Sequence, residues 1–238
     1  MNSVLHKAME DTVYFDLSAG SLRDLNSTLQ GLDAKTNQTA WTITNPRGAH
    51  ALAVGVTAPV AITIDGHAGY YACGMNDGAA ITITGNAGTG LAENMMSGSV
   101  HVLGDASQSA GATAHGGLLI IEGNASARCG ISMKGVDIVV KGNVGHMSAF
   151  MAQSGNLVVC GDAGDALGDS LYEARLFVKG KVASLGADCE VKPMTDEDKT
   201  ILAGLLAKAG SDANPDEFTR YGSARKLYNF HVDNAGAY

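Results

Sequence analysis

The sequence predicts an all-β protein: a right-handed single-stranded parallel β-helix of about seven 19-residue rungs, with small helical caps at its N- and C-termini. Three observations carry that prediction. Glycines recur at Gly66, Gly85, Gly104, Gly123, Gly142, Gly161 and Gly180, each 19 positions from the next. Four residues before each stand Ile62, Ile81, Val100, Leu119, Ile138, Leu157 and Leu176, and two before stand Ile64, Ile83, Val102, Ile121, Val140, Val159 and Val178. Both columns are wholly aliphatic. The 238 residues include 31 Gly and only 4 Pro, with 17% charged residues, so glycine is serving something repetitive. Period-2 strands of four or five residues bounded by glycines cannot make the helix pairs of an α-solenoid. A propeller blade needs roughly 40 residues. Nineteen residues fit one winding of a β-solenoid, and parallel crossovers favour the right-handed sense.

Residues 1–40 read as an N-terminal cap, with a strand over Thr12 to Leu17 and a helix over Ser21 to Leu29 whose Leu22, Leu25 and Leu29 share a face. A solenoid needs such covers because its terminal windings expose unpaired edges.

Residues 41–192 read as the β-helix itself. The strand Trp41 to Thr44 lies one period before Val60 to Thr63 and forms an irregular first rung. Stacking at about 4.8 Å per winding turns the two aliphatic columns into inward ladders. Burial is worth roughly 1.5–3 kcal/mol per aliphatic side chain, so the stack can hold although no rung folds alone. The outward column changes character, from Thr63, Thr82 and His101 to Ile120, Val139, Val158 and Phe177, which predicts that protein covers the C-terminal rungs. After each repeat glycine come His67, Asn86, Asp105, Asn124, Asn143, Asp162 or Lys181, then Ala or Val. This is turn chemistry, with glycine expected at φ > 0 and Asn or Asp bonded to its own backbone.

Residues 193–238 read as a C-terminal helix and docking tail. Thr195 and Asp198 form a capping box before Ile201, Leu202, Leu205 and Leu206, and Gly210 stops the helix. The aromatic and basic segment beyond Pro215 offers Arg220, Tyr221, Arg225, Tyr228 and Phe230 as a candidate partner interface.

A formal charge of −8 disfavours nucleic acid and anionic membrane faces as partners. The N-terminus lacks a signal-peptide core, so a cytoplasmic location is expected. Cys73, Cys129, Cys160 and Cys189 fall in different columns, and no two of the seven histidines stand one period apart. Neither a zinc site nor an iron–sulfur ligand set is signalled. Gly85 to Gly90 resembles part of a dinucleotide loop, but no long helix follows and the turn recurs elsewhere. Asp162, between Asn143 and Lys181, could belong to a salt bridge, a polar ladder or an acid/base site, and reads first as part of a solvated turn. No residue is therefore assigned to catalysis, to cofactor binding or to a metal.

Gly161, Gly164 and Gly168 make a G-x-x-G-x-x-x-G unit, with one-substitution variants at Gly104, Ser107, Gly111 and at Gly123, Ser126, Gly130. On these repeats the chain from about Asn45 to Asp188 resembles the GXGXG domain, the C-terminal β-helix of the glutamate synthase large subunit, a domain also found in the C subunit of formylmethanofuran dehydrogenase. The resemblance implies a non-catalytic subunit of a hetero-oligomer. A free-standing chain of this kind is similar to the β-helix subunit of N-methylglutamate synthase, in which FMN and an iron–sulfur cluster belong to a partner. The implied partners are a class II glutamine amidotransferase-like subunit and an FMN-binding glutamate synthase-like subunit. Two other readings stand beside it. One is the β-helix subunit of a formylmethanofuran-type complex. The other is an independent β-helix enzyme or carbohydrate-binding protein, which would want a groove of aromatics and paired Asp residues, where the sequence offers Phe177 with Tyr172.

Overall fold

The computed structural model describes residues 12–226. In chain order these form β1 (Thr12–Asp16), α1 (Leu22–Gln30), β2 (Ala40–Thr44), β3 (Ala61–Asp65), β4 (Asp77–Ile83), β5 (Ser97–Val102), β6 (Leu118–Ile121), β7 (Lys134–Val140), β8 (Ser154–Val159), β9 (Arg175–Val178), β10 (Cys189–Lys192), α2 (Asp196–Lys208) and β11 (Thr219–Ser223). One sheet takes in all eleven strands, and β1 to β9 lie side by side in sequence order, every pair parallel. This is the predicted parallel β-helix of about seven windings. From β3 onward like sits on like: Ile62 pairs with Ile81, Ile81 with Val100, and so on to Leu157 with Leu176. Both aliphatic columns are at most 1% exposed.

The first winding differs from the expected step. Trp41 pairs with Ile62 and Ile43 with Ile64, an advance of 21 residues rather than 19. Because side chains alternate faces with period two, an excess of two leaves Trp41 and Ile43 pointing inward. Nor does the sheet stop at residue 40, since β1 pairs along its whole length with β2. α1 closes the end of the barrel-like interior with Leu25 and Leu29, both fully buried, while the Ser21 side chain accepts from the Asp24 N–H as the N-cap. Polar side chains of α1 satisfy the backbone of the first corner: Asn26 donates to the Ala51 carbonyl at 2.8 Å and accepts from the Ala53 N–H at 3.0 Å, and Gln30 donates to the Val54 carbonyl at 2.8 Å.

The repeat glycines owe their place to close approach rather than to dihedral freedom. Of the seven, Gly66 alone has positive φ; Gly85, Gly104, Gly123, Gly142, Gly161 and Gly180 do not. A Cβ on any of those six would come within 3.0 Å of the preceding winding's His67, Asn86, Asp105, Asn124, Asn143 or Asp162 side chain and of its glycine backbone. The polar residue after each glycine likewise serves the next winding and not its own turn. The side chains of His67, Asn86, Asp105, Asn124, Asn143 and Asp162 accept from the backbone N–H one winding on, at 2.7–3.0 Å. Asp162 is thus a rung of a polar ladder, bonded to the Lys181 backbone. Positive-φ glycine is found where a winding enters its strand: Gly78 (φ 114°) and Gly135 (φ 142°) sit in the register breaks of β4 and β7.

The outward columns of β6 to β9 are covered as the apolar drift requires, and the cover is the chain itself. Ile120, Val139, Val158 and Phe177 pack with Leu202, Leu205, Leu206 and Ala209 of α2 and with Phe218. The Thr195–Asp198 capping box starts α2, Ala209 caps it, and Gly210 turns away at φ 62°. β11 then runs antiparallel between β9 and β10 and finishes the sheet.

Candidate functional site

A polar groove lies at this C-terminal end. Two cavities of about 380 and 340 Å³ share Lys192 and Arg220 in their walls; Tyr172, Glu173, Ser223 and Arg225 complete one, and Arg175, Thr195, Glu197 and Asp198 the other. Chain geometry explains the gathering. Register sets Arg220 of β11 opposite both Phe177 of β9 and Lys192 of β10, while the capping box aims Asp198 at the same point.

Asp198 is the hub. Its carboxylate accepts from the Thr195 N–H at 3.1 Å and the Thr195 hydroxyl at 2.8 Å, with Arg220 Nε at 3.3 Å and Arg175 Nε at 3.6 Å. Burial pushes its pKa up, but the Thr195 hydrogen bonds and the two guanidinium charges outweigh that, and the group is held below its ordinary value. Arg175 also reaches Glu197 at 2.8 Å, Arg225 reaches Glu173 at 2.6 Å, and Lys192 pairs with Glu190. Each cation meets a carboxylate of its own chain, so the groove is an electrostatic latch holding α2 and β11 to the stack.

This places the sequence-predicted interface residues. Arg220 points into the latch, and Tyr221 is 8% exposed in the core, opposite Leu176 and Val191. Both serve contacts within the chain instead of an outward docking tail. Arg225 lines the groove rim, and Tyr228 and Phe230 lie outside the described residues. The seven repeat glycines line one corner, away from this groove.

A second polar group escaped sequence reasoning. Glu122 receives Lys141 Nζ at 2.7 Å and lies 2.7 Å from His101 Nε2. The Glu122–Lys141 separation of one period was the available signal, since it puts both on adjacent windings. Burial raises the Glu122 pKa, while the hydrogen bonds from Lys141 and His101 more than compensate and leave it lowered.

Burial pushes the thiols of Cys73 and Cys129 up to about 12, and burial with the charges of Asp188, Glu190 and Asp169 does the same to Cys189. Cys160 is raised by burial too. Such thiols are poor thiolate donors. Among the described residues no three His, Cys, Asp or Glu side chains are grouped to hold a metal ion. No helix among the described residues is long and apolar enough to cross a membrane.

No family model matches the chain. It is similar to Protein GlxC of Rhizobium meliloti (strain 1021), at 62% identity over 224 residues that make up 94% of this chain and 98% of that protein.

Proposed function

Because the chain belongs to the family of Protein GlxC, we propose that it is a non-catalytic structural subunit of a glutamate synthase-like complex, of the N-methylglutamate synthase type. It holds an amidotransferase-like subunit and an FMN-binding subunit in a fixed relation. The observation that supports this reading is the continuous parallel pairing from β1 to β9, because it makes a stiff body held together winding on winding. Holding two reaction centres at a set separation lowers the entropic cost of passing an intermediate between them. FMN and the iron–sulfur cluster belong, on this reading, to the partner subunit, in keeping with the buried, high-pKa cysteines here.

The test is purification of the tagged chain from its own host. Amidotransferase-like and flavin-binding subunits are expected to copurify with it, bringing the visible absorption of flavin to the pooled fractions. A chain that emerges alone, monomeric and colourless overturns the reading.

A further inference from the structure

From Gly48 to Ala127 the chain contains no Lys or Arg, while Asp65, Asp77, Glu93, Asp105 and Glu122 fall in that stretch. Glu122 is neutralised by Lys141. Among the described residues no ion pair reaches Asp77 or Glu93.

Beside those two carboxylates stand four large apolar side chains turned to solvent: Tyr70 is 53% exposed, Tyr71 52%, Met75 52% and Met96 48%. They lie on two adjacent windings. The Tyr71 ring lies against Gly90, where an added Cβ would be 2.7 Å from the ring and 2.9 Å from Glu93 Oε2. The Met75 N–H donates to the Glu93 carbonyl and the Met96 N–H to the Asn76 carbonyl, both at 2.8 Å. Asp77, next to Asn76, accepts from the Ser97 hydroxyl at 2.7 Å. Tyr70 stacks on His50 with centroids 4.4 Å apart and planes at 8°.

Local backbone preference does not favour these side chains. Tyr71 (φ 55°) and Met75 (φ 54°) occupy left-handed backbone, which costs a non-glycine residue roughly 1–2 kcal/mol. The equivalent positions elsewhere hold mostly small or polar residues, such as Gly90, Ser109 and Ala166 in the one column and Gly55, Asn94, Thr113 and Ser132 in the other.

We propose that Tyr70, Tyr71, Met75 and Met96, with Asp77 and Glu93 at their border, form the docking surface for a partner subunit whose apolar face is rimmed by Lys. This rests on the scaffold reading above. Interface cores favour Tyr and Met and shed Lys, and unmatched carboxylates select a cationic rim. A second copy of this chain is the wrong occupant, since it would bring Asp77 and Glu93 against their own kind on a chain of net charge −8.

The experiment compares hydroxyl-radical oxidation of the isolated chain with that of the complex purified through it. Zero-length carbodiimide cross-linking is run on the same complex. Met151, 40% exposed on another winding, is the internal reference. In the complex Tyr71, Met75 and Met96 should be protected relative to Met151, with cross-links from Asp77 or Glu93 to partner lysines. The doubly substituted chain Tyr71→Lys, Glu93→Lys, checked for unchanged thermal unfolding, should bind about tenfold more weakly or worse. A complex that forms with the patch still fully oxidisable overturns the surface and leaves the scaffold reading standing. Protection without cross-links overturns the cationic partner, and protection in a homodimer overturns the choice of occupant. A chain that purifies alone and monomeric overturns both proposals.

Discussion

Gly123 and Arg128 stand five residues apart and show two opposite demands on backbone. A Cβ at Gly123 would strike the Asp105 side chain and the Gly104 carbonyl, so Gly123→Ala must push two windings apart and break the ladder bond from the Asn124 N–H. We expect a loss of about 2 kcal/mol or more in denaturant unfolding. Arg128 is exposed at φ 60°. Arg128→Gly relieves roughly 1–2 kcal/mol of left-handed strain and gives back about 0.5–1 kcal/mol in unfolded-chain entropy, so the same assay should show unchanged or slightly higher stability. The glycine column was legible as a period, but its cause was not. The sequence shows that glycine mostly precedes Asn or Asp, whereas the clash that demands it comes from residues 18 and 19 positions earlier. The left-handed positions were invisible for a related reason: Tyr71, Cys73 and Met75 carry no local mark of φ values of 55°, 59° and 54°. Their N–H groups bond carbonyls of the neighbouring windings, and that long-range pairing outweighs local preference.

At the scale of elements, α2 is held by burial and by the Asp198 latch. Leu206 is 2% exposed against the outer column, and Leu206→Ala should cost about 2–5 kcal/mol in the stability of the cap. Asp198→Asn removes the charge facing Arg175 and Arg220, and about 2 kcal/mol or more is expected from the loss. The pH dependence has a definite sign. Asp198 has a folded pKa below its ordinary value of 3.8, so its contribution is complete above that value and disappears as pH falls through the folded one. The protection factors of α2 amides in hydrogen exchange, corrected for the pH dependence of intrinsic exchange, should therefore hold steady through mild acid and fall only below the ordinary carboxylate range, with the Asp198→Asn variant losing that step. The capping box and the stop at Gly210 could be read directly from Thr195, Asp198 and the aliphatic spacing. The drift from Thr63 to Phe177 signalled a cover but not its source. Only the position of β11 shows that Arg220 and Tyr221 turn inward, because antiparallel pairing with β9 and β10 depends on residues far apart in sequence.

For the whole molecule, α1 covers one end of the stack, β11 and β10 extend the sheet at the other, and α2 covers the outer face of β6 to β9. A chain ending at residue 192 bares Val139, Val158 and Phe177, each fully buried in the intact protein. It should aggregate or self-associate on gel filtration, whereas loss of a mere docking tail would leave a monodisperse coil. The architecture was legible because a 19-residue period repeats the same inward pair in every winding. The Tyr71 patch was not, since side chains confined to two neighbouring windings have no periodicity to announce them; the long stretch without Lys or Arg was the trace it left.

Identical windings also make the body a ruler with fixed graduations. Copying residues 104–122 in tandem would lengthen it by one notch, about 4.8 Å, with both terminal covers untouched. Its length can thus change only by whole notches, since half-measures would turn the inside of the coil out.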